Sequence, residues 1–264
     1  MILYHYTTAI GLQGIIQDRA IWASDYRFTN DAKEFLHGLE IFQKVLKSYR
    51  PTPRMSEIVD IIRDYKPRLD FCVLLASFCI DPDLLSQWRG YNGGAGYALG
   101  IDGDWLEQNA QKQGFHLVPV SYVPEEQKRV ALQKLELLRK LADSHAFREL
   151  EEHILLTMTA LKNEKFEEER EYRLVKITHT LPAEICTRPS TQGLIPYVPF
   201  KLDASIIDNP QYNPNNFGIE RIVIGPALHH EHQRAAVRAL FTSHGMEVEE
   251  DSIEVSKVPY RSIR

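Results

Sequence analysis

Apolar and polar positions follow two periods along this chain, and the changes of period mark its elements. The opening MILYHYTT predicts a short strand over residues 1–6. Thr7 or Thr8 then caps a helix in AIGLQGIIQD, where Ile10, Leu12, Ile15 and Ile16 suit an amphipathic face. RAIWAS predicts a second strand, and DYRFTND a polar loop. Asp31 is placed to cap a helix in which Phe35, Leu39, Phe42, Leu46 and Tyr49 fall at helical spacing. PTPR breaks that helix, and SEIVDIIRDY predicts another short one. FCVLLASFC is a nearly continuous apolar run with β-branched and aromatic members, which predicts a buried strand.

Further along, DPDLLSQWRGY predicts a helix starting on Asp81 with Pro82 at its first position. NGGAG forces a turn, and YALGID and FHLVPVSYV predict strands. Val130, Leu135, Leu138, Leu141, Leu150, Ile154, Met158 and Leu161 mark one or two long helices, with Ser144 as a break. EYRLVKI predicts a strand directly after the acidic FEEER. The Pro- and Asn-rich stretch 182–214 holds a strand at LIPYVPFKL. IERIVIG predicts a central strand, HEHQRAAVRALFTSHG a helix stopped by Gly245, and MEVEEDSIEVSKVPY a final strand or strand pair.

Helices and strands alternate irregularly, which predicts an α+β fold: mixed, mainly antiparallel central sheets with flanking helices. No repeat and no long linker divides the chain. The expectation is a single domain over 1–264 with a helical insertion at about 125–162.

Composition narrows the function. A chain of 264 residues with 44% hydrophobic and 25% charged positions has material for a sizeable core. A net charge of -5 argues against a protein coated in positive charge for nucleic acid, while leaving room for a local basic groove. Cys72, Cys79 and Cys186 are too few and too scattered for a disulfide framework or a cysteine-rich zinc site. The start lacks the basic and apolar blocks of a signal peptide, and no apolar run approaches a membrane span. The expectation is a cytoplasmic protein with no membrane partner.

Candidate chemistry is spread along the chain. There is no Walker loop, no G-x-G-x-x-G after a strand, no G-x-S-x-G and no H-E-x-x-H. NGGAG reads better as a hairpin turn than as a phosphate cradle. His229 and His232 in HHEH share a helical face, yet nothing signals third and fourth ligands, so a polar cap is favoured over a metal site. In FEEEREYR, Glu169 and Glu171 alternate and would share a strand face, as a paired-carboxylate site or as a solvated edge. Ser77, with Trp88, Arg89 and Tyr91 of QWRGY, offers groups that stack a ring and grip a phosphate, or that merely pack a core. Ser24, Asp25, Tyr26 and Arg27 form a polar loop of either kind. His5, flanked by Tyr4 and Tyr6, is a satisfied core group or the floor of a binding site.

In order, HYTT, IWAS, FTNDAKE, ASF, QWRGYNGGAGYALGI and FEEEREYRLV resemble a bacterial family known as domain of unknown function 2971. The resemblance runs from Tyr4 to about Val175 and returns in IERIVIGPAL and VPYR. FTNDAKE departs from the family's usual F-N-D-P by an inserted Thr and a missing Pro. The order of a first-strand His, a middle-strand Ser and a late Glu also resembles the ADP-ribosyltransferase fold. That resemblance implies NAD as substrate, His5 as ribose ligand, and Tyr6 and Thr7 against nicotinamide or ribose. It makes Glu171 the catalytic carboxylate and Glu169 the acid that orients the acceptor. Arg19, Arg27 or Arg89 would meet the pyrophosphate. The implied partner is a macromolecular acceptor, protein or nucleic acid, and the implied setting is a toxin or antiviral defence. No metal is required. Two other readings stand beside it. One is a non-catalytic nucleotide or nucleic-acid sensing module stacking on Trp88 and Tyr91. The other is a metal-dependent nuclease built from Glu169, Glu171, Asp25 and Asp31.

Overall fold

The computed structural model describes residues 1–28, 32–65, 72–90, 95–141, 147–190, 193–203, 217–226 and 229–259. Its strands are β1 (Ile2–Thr7), β2 (Ala20–Asp25), β3 (Cys72–Cys79), β4 (Tyr97–Asp102), β5 (His116–Pro119), β6 (Glu171–Thr178), β7 (Cys186–Ser190), β8 (Gly193–Lys201), β9 (Ile219–Ile224) and β10 (Ile253–Val255). Its α-helices are α1 (Ala9–Asp18), α2 (Ala32–Leu46), α3 (Ser56–Arg63), α4 (Leu85–Gly90), α5 (Gly103–Lys112), α6 (Pro124–Leu141), α7 (Phe147–Thr159) and α8 (His230–Ser243). The fold is α+β, and the described strands join one sheet. Every pairing between them is antiparallel except β9 with β10, as expected for a mainly antiparallel protein.

β3 is the trunk of that sheet. Along one edge it pairs with β6 over its whole length, from Cys72↔Thr178 to Cys79↔Glu171. The other edge is shared. β1 meets it at Tyr4↔Cys79, and β2 meets it at Ser24↔Leu75 and Asp25↔Leu74. Between those two contacts β1 and β2 diverge, so the sheet forks beside Ala76, Ser77 and Phe78.

The two faces of the sheet bury different cores. On one, Leu74, Ala76 and Phe78 of β3 pack with Leu3, Leu99 and Ile101, under Leu12, Ile15 and Ile16 of α1, Trp105 and Leu106 of α5, and Phe241 of α8. On the other, Val73 and Leu75 of β3 and Val175 and Ile177 of β6 meet apolar side chains of α2, α3, α6 and α7. A third cluster of Tyr4, Tyr6, Cys79, Trp88, Ala98 and Val223 sits under α4. Among the described residues, no helix is long and apolar enough to cross a membrane.

Several boundaries differ from expectation. α4 starts at Leu85 rather than at Asp81. The Asp81 carboxylate accepts the Asp83 amide instead, which closes a polar turn ahead of the helix. The strand does begin directly after FEEER, at Glu171, and the acidic segment before it lies in a 3-10 turn over Glu164–Glu169. α5 was not expected; Asp102 caps it by accepting the Trp105 amide. β7 also adds a strand to the Pro-rich region, and the closing segment yields β10 alone among the described residues. Of the two expected caps of α1, Thr8 takes the role, through the Gly11 amide. The expected cap Asp31 and break Ser144 lie outside the described residues.

Candidate functional site: a buried charge network beside the forked strand

Residues directly opposite one another in an antiparallel pair share a face of the sheet. Tyr4, Cys79 and Glu171 therefore face one way, and so do Ser77 and Arg173. The ring of His5 faces the other way, against Phe78 at 5.4 Å between centroids. Its Nδ1 lies 3.0 Å from the carbonyl oxygen of Ser77, in the gap of the fork. A carbonyl only accepts, so Nδ1 carries the proton and Nε2 is the acceptor. Burial pushes the pKa of His5 down, against that bond, so the imidazole is neutral near pH 7. The Ser77 side chain is on the opposite face, with Arg173 across from it, and it favours the ionised form of Glu171. His5 meets the backbone of Ser77, while Glu171 leaves the sheet on the opposite face, so the structure does not bring these three side chains into one cleft.

Glu171 sits in a network of five ionisable groups. Arg173, two residues on and on the same face, donates from Nε to Glu171 Oε1 at 2.8 Å and from Nη2 to Oε2 at 3.1 Å. It also donates from Nη1 to the Thr159 carbonyl at 2.7 Å and from Nη2 to Glu34. The Lys162 ammonium lies 2.6 Å from Glu169, 2.9 Å from Glu171 and 3.1 Å from Glu34. The ammonium donates to Glu169 and Glu171, and Glu34 stands beside it as an ion-pair partner. Burial opposes the charge on both Glu171 and Lys162. Even so, Arg173 and Lys162 hold the Glu171 carboxyl at about 2, and Glu171 and Glu34 hold Lys162 above its ordinary range. Glu169 behaves differently. Burial raises its pKa, and the bond to Lys162 does not fully offset that. The Glu169 side chain is 14% exposed, and its Oε1 has no partner among the described residues.

Local structure explains the convergence. Glu169 ends the 3-10 turn and Arg170 takes a left-handed φ of 40°, so the chain swings between the two acids. They meet at Lys162 through this bend, not by strand alternation as expected. The Tyr122 hydroxyl accepts the Glu171 amide at 2.9 Å. The Gln127 amide group donates to the carbonyls of Ser121 and Lys162, fixing the end of α7 against the start of α6.

The other expected ligands are placed elsewhere. The Tyr6 hydroxyl donates to the Asp81 carbonyl and accepts the Leu84 amide. Thr7 is buried at the end of β1. Trp88 is 0% exposed, and its indole donates to Asp83 at 2.7 Å. Arg27 is bound to the buried Asp25 at 2.6 Å, and Arg19 donates to the His244 carbonyl. Arg89 is exposed on α4. Tyr91 lies outside the described residues, as does Asp31. His229 and His232 rings are 5.6 Å apart, and among the described residues no group of three or more His, Cys, Asp or Glu is arranged to hold a metal ion. Glu34, Lys162 and Arg173 are the site residues that sequence reasoning missed. Arg173 carried a signal, because its spacing from Glu171 puts both on one strand face.

Fold and site together define an α+β protein with a charge network buried beside a forked strand. A protein family described as "protein of unknown function (DUF2971)" matches residues 87–174. This is the family resemblance expected from the sequence. The matched span runs from α4 into β6 and includes Lys162, Glu169, Glu171 and Arg173. No curated protein and no solved structure matches the chain.

Proposed function

We propose that this is a cytoplasmic NAD-consuming enzyme, an ADP-ribosyltransferase or NAD glycohydrolase with an ADP-ribosyltransferase-like arrangement of β1, β3 and β6. The observation that carries the reading is Glu169: a partly exposed carboxylate with a raised pKa and a spare oxygen, at the rim of a buried charge network. Shifted carboxyl groups beside fixed charges are what acid–base sites are built from. The roles differ from those implied by the resemblance. Glu171 has Lys162, Arg173 and Ser77 around its oxygens, so its task is to position the network. Glu169 is the reacting carboxylate. As the bond to nicotinamide breaks, positive charge grows on the ribose, and a nearby ionised carboxylate stabilises it. His5 leaves the sheet on the opposite face, against Phe78, so it takes no part in this site, contrary to the role the resemblance implies for it. The acceptor is a macromolecule or water, in a toxin or defence setting.

The full saturation of Glu171 favours a second reading, a nucleotide-sensing module without turnover. Incubation with labelled NAD, with and without a chelator, separates the two. Nicotinamide release that survives chelation and falls about a hundredfold in Glu169→Gln supports the enzyme. Nucleotide binding without release from the unmodified protein supports the sensor. Release that is unchanged in Glu169→Gln removes that residue from the reaction.

A further inference from the structure

We infer that the partly open face of β2, β8 and β7 is a docking surface for single-stranded nucleic acid. Trp22 on β2 and Tyr197 on β8 stack on this face, with ring centroids 4.5 Å apart and planes 28° from parallel. The register Trp22↔Pro199 and Ser24↔Tyr197 puts Trp22, Tyr197 and Pro199 on one side of the sheet. Their strand neighbours Ile21, Val198 and Phe200 fill the core on the other side. The stacked face is partly open: Trp22 is 36% exposed and Tyr197 and Pro199 are half-buried, while Ile195 at its far end is covered.

Charge selects the occupant. β7 and β8 carry Arg188 and Lys201 and no acidic residue, in a chain whose net charge is -5. Arg188 pairs across from Ile195, and Lys201 lies further along β8. By strand parity both cations share the face of Tyr197. Neither makes an ion pair among the described residues. Asp18 and Arg188 both lie within electrostatic reach of the Tyr197 hydroxyl, so the face is not uniformly cationic. An aromatic stack bracketed by two cations on a partly open sheet face is the arrangement that holds unpaired bases by stacking and their phosphates by charge. A duplex, whose bases are already stacked, gains nothing from Trp22 and Tyr197. This role passes to Trp22 and Tyr197 because Trp88 is enclosed.

The surface is independent of NAD turnover and is tested without NAD. Trp88 and Trp105 are both 0% exposed, so quenching of tryptophan emission reports on Trp22. The full chain is titrated with a single-stranded oligothymidylate of about ten nucleotides, within the usual site size of such folds. Saturable quenching is expected, and it weakens as salt rises. Anisotropy of a labelled oligonucleotide then compares variants. Tyr197→Ala is expected to weaken binding at least about fivefold. Arg188→Ala with Lys201→Ala is expected to flatten the salt dependence. Absence of quenching at low salt, equal affinity for duplex of the same length, or variants that bind as the parent does would overturn the assignment. So would a polypeptide acceptor that quenches Trp22 where the oligonucleotide does not.

Discussion

Gly38 of α2 lies so close to Met158 of α7 that a methyl group in its place would fall 2.4 Å from the Met158 carbonyl oxygen. The obstacle is backbone, which cannot rotate away as a side chain can. The two helices cross there because one of them has nothing to protrude. Gly38→Ala is therefore expected to cost about 1–3 kcal/mol through overpacking, despite alanine's better helix propensity. Urea unfolding of the two proteins checks this. An unchanged midpoint would mean that the helices shift apart freely.

Glu171→Gln is expected to destabilise the fold by about 3 kcal/mol, because it leaves the buried Lys162 and Arg173 each one carboxylate short. Glu169→Gln is expected to cost under about 1 kcal/mol, since burial already disfavours its ionised form. Denaturant titrations at neutral pH distinguish the two. Equal losses would mean that the network does not discriminate between its acids.

The pH dependence of stability follows from the same shifts. Glu171 is held at about 2, below the ordinary carboxylate range. Its contribution is present above about pH 4.3 and drains away as pH falls toward the folded value. Glu169 is shifted upward, so its contribution has the opposite sign: full below its unfolded value and lost as pH rises through its folded one. His5, lowered by burial, makes the fold lose stability as pH drops below about 6.5, where the unfolded chain takes up the proton first. Unfolding free energies measured between about pH 3 and 8 should show that slope, and His5→Asn should remove the part near pH 6.

Lys162→Met takes the ammonium from between three carboxylates. A loss of several kcal/mol is expected at pH 7, with partial recovery near pH 4 as the acids protonate. If the loss were the same at both pH values, packing of the lysine stem would be the cause, not its charge.

The strands were legible where one face is buried or both are. β3, β6 and β9 read directly from their apolar runs, and α1, α2 and α3 from helical spacing. α5 escaped because its cap, Asp102, closes the preceding strand. Its buried Trp105, Leu106, Asn109 and Ala110 nevertheless fall at helical intervals. Trp88 looked like a stacking group in QWRGY, but Asp83 draws its indole inward, a pairing that spacing does not reveal. Glu34 and Arg173 meet across 139 residues, and no local pattern announces such a contact.

The Lys162 ammonium joins parts of the chain that would otherwise part easily. Glu34 stands on α2, Lys162 follows α7, and Glu171 and Arg173 begin β6. Peeling the α6–α7 hairpin from the sheet would expose apolar surface and also leave unlike charges without partners in a half-dry gap. Such a partial opening has little to gain over complete unfolding. Amides in α7 and in β6 should then exchange with solvent at one common rate, as a single cooperative block rather than as a loose flap on a rigid base.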